Sequence, residues 1–301
     1  MSGRIALGVH DEFSRLAHVI MGTAEGFHRD PARVEMVNKT QAATVRAKGH
    51  PEPAQLAKEF EAFRAAMEGA GVTVHQPVLA PPSVQDQTCP RDIGFVIGDT
   101  FVIGDTFVVA GMRDAGRVEE IAAIGHLLER CDGPSVQVPK GIALEGGDVI
   151  VHGRQVFVGI GQRSDPQGAA FLASHLADAF EVVPVPTHAE RDGGDVLHLD
   201  CTFNPLGLGH ALICPEGIAD MPSAIRDDFG WIEVGRAEMR ALATNVVSVA
   251  PDTVIARDHP DCARVNTAMR QAGYRVIETG FDGVPGIGGS FRCATLPLRR
   301  H

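Results

Sequence analysis

Four short polar clusters, each beside a β-like run, hold residue types able to do covalent chemistry: CPRD at 89–92, LEGGD at 144–148, HLD at 198–200 and GGSFRC at 288–293. Cys293 follows the Gly-rich stretch VPGIGGS and begins a short apolar run. Glycines there allow positive φ and close approach of a ligand to the backbone. Arg292 precedes the cysteine directly, and positive charge beside a thiol lowers its pKa toward the nucleophilic thiolate. The plain alternative is a small buried core cysteine. In LHLDC, strand alternation puts His198 and Asp200 on one face, as proton carrier and cation anchor, with Leu199 and Cys201 on the other. Glu145 and Asp148 flank two glycines, and Asp148 reads as a solvated turn residue. Arg91–Asp92 reads equally well as a surface ion pair.

With Asp148 set aside as a turn residue, the clusters offer Cys293, one histidine and three carboxylates, besides Cys89. A cysteine protease needs one orienting group, not several acids. A planar guanidinium fits better, because carboxylates match its donors in bidentate pairs. Its carbon is a poor electrophile, so it must be held, kept charged and attacked by a good nucleophile. A thiolate supplies the attack and a histidine protonates the departing amine. On ligand types alone, Cys293, His198 and the acids could also form a zinc site; the reading adopted here calls for no metal and no cofactor.

The 301 residues give room for one large domain or two small ones, and 44% hydrophobic with 22% charged residues is ordinary for a soluble globular chain. A net charge of -11 with no Lys/Arg block argues against nucleic acid as partner and suits a small cationic substrate, or mere solubility. None of the six cysteines pairs as CxxC, so a zinc ribbon is not expected. Residues 1–22 place charges inside any apolar run, so neither a signal peptide nor a membrane span is expected there. A reducing, cytoplasmic setting follows, in which a free thiol is available.

One pattern must position the clusters. A β-rich run ends in a polar turn, a helix-like stretch with apolar residues at i, i+3, i+4 follows, and then another β-rich run. LAHVIMG leads to EPAQLAKEFEAFRAAMEGAG and VTVHQPV; QVFVGIG leads to AAFLASHLADAF and EVVPVPT; DTVIARD leads to ARVNTAMRQAG and YRVIET. TFVVAGMRDAG followed by RVEEIAAIGHLLERC has the same form. Further β-like runs intervene: DVIVHG, VLHLDCTF, HALICP, NVVSVA and SFRCATL. This α/β repeat of β–β–α–β type is compatible with a linear stack, a doubly wound sheet or a ring. A literal repeat, FVIGDT at 95–100 and again at 101–106, has an even period and could lengthen a hairpin without inverting its faces. No low-complexity linker divides the chain, so residues 1–301 are expected to form one domain.

In order, PRD, EGGD with its following strand and QRS, HLDCTF, and GGSFRCATLPLRR resemble the guanidine-modifying enzymes of the pentein superfamily: amidinotransferases, arginine deiminases and dimethylarginine dimethylaminohydrolases. The resemblance runs from about residue 17 to the C-terminus. It implies a propeller of about five ββαβ modules around a central site. It also implies Cys293 as the nucleophile that forms a covalent thiouronium, His198 as acid and base, and Glu145 holding the guanidinium and His198 together. Asp92 and Asp200 would bind guanidinium nitrogens, Arg163 or, more weakly, Arg113 the substrate carboxylate, and Thr244 would be a small polar neighbour. HLDCTFNPLG resembles the amidinotransferase form, whereas Arg292 stands where those enzymes carry a His, and Glu145 matches the deiminases. Asp200 is usually a Lys in the dimethylarginine enzymes. The expectation is hydrolysis of the guanidine C–N bond of arginine or an arginine-like compound, with amidino transfer as alternative and a non-catalytic binding protein as a third reading. The partner would be a small guanidino cation; a homo-oligomer is left open.

Overall fold

The β–β–α–β unit is built five times in a computed structural model, which describes residues 3–27, 38–80, 84, 87–98, 106–113, 115–176 and 179–301. After a short strand β1 (Ile5–Ala6), β2 (Leu16–Met21) leads through α1 (Lys39–Arg46) and α2 (Pro53–Gly69) to β3 (Thr73–His75), which lies parallel to β2. Next, β4 (Gly94–Ile97) and β5 (Thr106–Val109) pair antiparallel. A 3₁₀ stretch (Ala115–Ile124), α3 (Gly125–Leu128) and β6 (Cys131–Asp132) then lead to β7 (Ser135–Gln137), parallel to β5. β6 lies parallel to β1. The order recurs in β8 (Val149–His152), β9 (Gln155–Ile160), α4 (Pro166–Leu176) and β10 (Glu181–Pro186). It recurs in β11 (Phe203–Pro205), β12 (His210–Ile213), α5 (Ser223–Asp227) and β13 (Gly230–Glu233). After α6 (Arg236–Arg240) it recurs once more, in β14 (Val247–Ala250), β15 (Thr253–Arg257), α7 (Ala263–Gln271) and β16 (Arg275–Thr279).

The first module is completed from the other end of the sequence. β17 (Thr295–Arg300) runs antiparallel to β2, in the place that an intra-module hairpin strand fills elsewhere. This closes the modules into a ring and settles the choice among stack, open sheet and ring. The hairpin expected at the duplicated hexapeptide is present as β4–β5, while residues 99–105 lie outside the described residues.

The longer helices α2, α4 and α7 each bury one face against the strands beside them. In α2, Pro53 starts the helix and Leu56, Phe60, Phe63 and Met67 fall on one face, all buried. Burial of such a side chain contributes about 1.5–3 kcal/mol. Phe63 meets Phe291 with ring centroids 4.7 Å apart, and Phe281 stacks on Phe291 at 4.6 Å. That aromatic cluster anchors the segment just before Cys293. No helix among the described residues is long and apolar enough to cross a membrane.

Two runs expected as strands are turns. Leu199–Cys201 is a 3₁₀ turn, and strand structure begins only at Phe203. The N–H groups of Cys201 and Thr202 bond back to the carbonyls of His198 and Leu199 at 3.1 and 3.0 Å, and Leu199 N–H goes to Asp148 Oδ1 at 2.9 Å. The backbone is therefore satisfied without a ladder partner, and strand alternation does not set the directions of His198 and Asp200. Cys293 likewise lies in a turn before β17, where Ala294 N–H bonds to the Ser290 carbonyl at 2.8 Å and Thr295 N–H to that of Arg292 at 3.1 Å.

Candidate active site

Cys293, His198, Asp92 and Arg163 open on one cleft, with Thr88, Cys89 and Gly289. Glu145 and Asp200 stand directly behind it, fully buried. The cleft encloses about 440 Å³ of empty space, its open mouth included. Asn38 and Gln41, at the start of α1, line the mouth.

His198 sits between acids. Its Nε2 is 3.0 Å from Glu145 Oε2, and its Nδ1 is 3.8 Å from Asp92 Oδ1. The close approach needs Gly147, where a Cβ would stand 2.7 Å from His198 Cγ and 3.0 Å from Asp92 Oδ1. Burial alone would lower the imidazole pKa. The charges of Asp92 and Asp148 and the bond to Glu145 override it and raise the value to about 9. The ring is therefore an imidazolium near neutral pH, able to donate from both nitrogens. Glu145 also feels burial, yet its bond to His198 and the Arg163 guanidinium, 3.6 Å away, hold it below the ordinary carboxylate range.

Asp148 is a correction. It was expected to be solvated, but it is buried and joins two segments of the site. Its Oδ1 accepts from Leu199 N–H, and its Oδ2 accepts from Ser164 Oγ at 2.7 Å. Ser164 Oγ in turn accepts from Glu145 N–H at 3.0 Å. One carboxylate thus ties the backbone carrying His198 to the backbone carrying Glu145. Burial raises its own pKa to about 6. Arg91 and Asp92, which could have formed a surface pair, are also buried.

Around the thiol, Cys293 Sγ lies 3.8 Å from Asp200 Oδ2, and Arg292 Nη1 bonds to that same oxygen at 2.7 Å. The thiol was expected to be acidified by Arg292. Instead its pKa is raised well above the usual value, first by burial and then by Asp200 and Asp92; Arg292 opposes this only weakly. The reason is that Arg292 is itself neutralised by Asp200 and by Glu12, whose Oε1 is 3.1 Å from Nη2.

The other expected residues are near but differ in use. Arg163 lines the cleft. Arg113 gives its backbone N–H to Glu145 Oε1 at 3.0 Å, while its guanidinium turns to Asp165, 3.4 Å away. Thr244 is buried and its hydroxyl donates to the Cys201 carbonyl. The neighbouring Asn245, which sequence reasoning missed, reaches the backbone of Cys293: its Oδ1 accepts the N–H groups of Arg292 and Cys293, each at 3.1 Å. Nothing local in the sequence marks it, since its partners lie 47 and 48 positions away.

Among the described residues, Asp92, Glu145 and His198 bring one ligand atom each within 4.8 Å of one another, the spacing of a metal site. A metal needs a lone pair from the imidazole. Both ring nitrogens face carboxylates that favour the protonated ring, so the donor set suits a proton better than a cation.

The family model of eukaryotic N,N-dimethylarginine dimethylhydrolases matches residues 27–300. The chain belongs to this family, within the guanidine-modifying pentein superfamily. It is 35% identical to the uncharacterized protein YkgA of Bacillus subtilis (strain 168) over 226 residues, 74% of each chain. Among solved structures, the amidinotransferase SxtG of Microseira wollei superposes with a TM-score of 0.78 at 21% identity, covering 98% of this chain and 97% of that one. The N-terminal domain of ArgZ, an arginine dihydrolase of cyanobacteria, gives 0.78 at 20% identity, covering 94% and 98%. At such identities the likeness speaks for the fold alone, and that fold is the pentein α/β propeller.

Proposed function

We propose that the chain, taken as one domain over residues 1–301, hydrolyses a C–N bond of the guanidino group of arginine or an arginine-like compound, methylated arginine included. The observation that carries this reading is the meeting of Cys293 with the His198–Glu145 pair and Asp92 at one cleft, with Asp200 behind the thiol. Family membership supports hydrolysis over transfer.

The chemistry follows from the charges. In the empty site the thiol keeps its proton, because burial and two carboxylates oppose a thiolate. A guanidinium held by Asp92 and Asp200 adds positive charge beside the sulfur, and the thiol proton leaves to solvent. Sγ then bonds to the guanidinium carbon. His198 gives its proton to a nitrogen, the C–N bond breaks, and ammonia or an amine departs, leaving an S-amidino (thiouronium) cysteine. A water gives its proton to His198 and adds to the same carbon. Collapse breaks the C–S bond, the hydroxyl proton passes to the departing sulfur to restore the thiol, and a ureido compound is released. Glu145 holds His198 in the charged form and lies within reach of the bound cation. Arg163 takes the far carboxylate; Arg113, turned to Asp165, is the weaker choice. Thr244 acts only by fixing the Cys201 backbone.

The test is a product assay on the purified chain with arginine, methylated arginines and shorter guanidino acids, with and without glycine as acceptor, beside Cys293→Ser. Ureido product without acceptor is expected, and none from Cys293→Ser. A new guanidino compound formed only with acceptor would replace hydrolysis by amidino transfer. Full activity in Cys293→Ser would sink both.

A further inference from the structure

Glu12 lies ahead of the stretch that the family model matches, in the loop that leads into β2. Its carboxyl is nonetheless buried against the back of the site. Oε1 is 3.1 Å from Arg292 Nη2 and accepts Val151 N–H at 3.3 Å, and Oε2 is 3.7 Å from Arg91 Nη1. Burial would raise the Glu12 pKa, yet Arg292, Arg91 and Arg300 together hold it at about 2. Arg292 is therefore shared: one nitrogen faces Glu12 and the other Asp200, whose same oxygen faces Cys293 Sγ. Without Glu12, Asp200 would be the one carboxylate left to balance Arg292, and the negative field that Asp200 sends into the cleft would be cancelled.

We propose that Glu12 is a positioning residue for the reaction: by taking up half of Arg292, it leaves Asp200 oriented and negative toward Cys293 and the incoming cation. The proposal rests on the guanidine-hydrolase reading for its kinetic part only. Two consequences have opposite signs. Loss of Glu12 adds net positive charge behind the sulfur, which favours the thiolate in the empty site. The same charge repels a guanidinium substrate. Loss of a residue that merely held the fold together would expose the buried thiol and speed its reaction at every pH, without moving the pH at which it ionises.

The experiment compares the full chain with Glu12→Gln and Glu12→Asp, folding being checked by thermal melting. For Glu12→Gln, the KM of the substrate found in the product assay is expected to rise about tenfold, with kcat much less affected. In the substrate-free protein, the pH profile of Cys293 alkylation by iodoacetamide, read on its own peptide by mass spectrometry, should move down by about one pH unit, which is about tenfold faster at neutral pH with the high-pH rate unchanged. Both sizes are those of one uncompensated charge several ångströms away in a half-polar medium. Glu12→Asp, which keeps the charge, should lie between wild type and Glu12→Gln in both readouts. Unchanged KM and unchanged alkylation overturn the proposal. So does alkylation that is faster by the same factor at every pH together with a raised KM, the mark of a purely structural loss. If Glu12→Gln does not fold, Glu12→Asp decides alone, with shifts of about threefold expected in the same two directions and no shift overturning it. If no guanidine is turned over, the hydrolase reading fails, and the alkylation rate still decides what Glu12 does.

Discussion

The two faces of the cleft carry the same sign of charge, and it acts on two different acids. On one face, Asp92, Asp148 and Glu145 surround His198 and keep its proton on up to about pH 9. On the other, burial with Asp200 and Asp92 keeps the proton on Cys293. In the proposed reaction the first proton is needed, because an amine must be expelled. The second is an obstacle, because a thiol is a poor nucleophile. The general acid is thus ready in the empty site and the nucleophile is not. The missing element is positive charge, which a guanidinium brings with it. On this proposal, the carboxylates that would bind such a substrate also keep the thiol protonated in its absence.

The comparison can be broken most severely at the sulfur. Cys293→Ser should lower kcat by at least about 1,000-fold, since a hydroxyl is a far poorer nucleophile than a thiolate; the product assay reads this directly. On the opposite face, Glu145→Gln removes the 3.0 Å partner of His198 and should cost about 100-fold in kcat, with the His198 pKa, followed by NMR, falling from about 9. Asp148→Asn acts one step further back. About a tenfold loss is expected, and the alkaline limb of the kcat profile should move to lower pH, because one of the charges that raise His198 is gone. In wild type that limb should fall as pH rises through about 9, where His198 loses the proton it must donate. Thiolate absorbance should sharpen the contrast: the free protein should show little near neutral pH, and a bound, unreactive guanidine should increase it. The smallest effect is expected at Arg113→Ala, less than about threefold in kcat/KM, because its guanidinium already faces Asp165.

Much of this architecture can be read from residue patterns. The recurring β–β–α–β runs correspond to the five modules because each helix and each strand buries one face, and such periodicities are local. The closure of β17 onto β2 is not local and leaves no trace in the pattern. α1 was missed because its sequence, KTQAATVR, has no apolar stripe to announce it. At the site, the cysteine, the histidine and three of the acids stand out as polar residues set among β-like runs. Asp148 does not, because a turn acid and a buried brace look alike until Leu199 and Ser164 are seen beside it. The acidification expected of Cys293 failed for a related reason. Adjacency of Arg292 says nothing about Asp200 and Glu12, which take up its charge from 92 positions away and from the far end of the chain.

The ring is closed by the last strand among the described residues, and Cys293 sits on the turn that leads into it. A nascent chain that already holds His198 and its acids still lacks Cys293. Even once Cys293 is made, the thiol has no fixed place until β17 has docked along β2. On the proposed mechanism, assembly of the site and closure of the ring depend on the same strand pairing, so a chain clipped ahead of β17 is expected to be inactive.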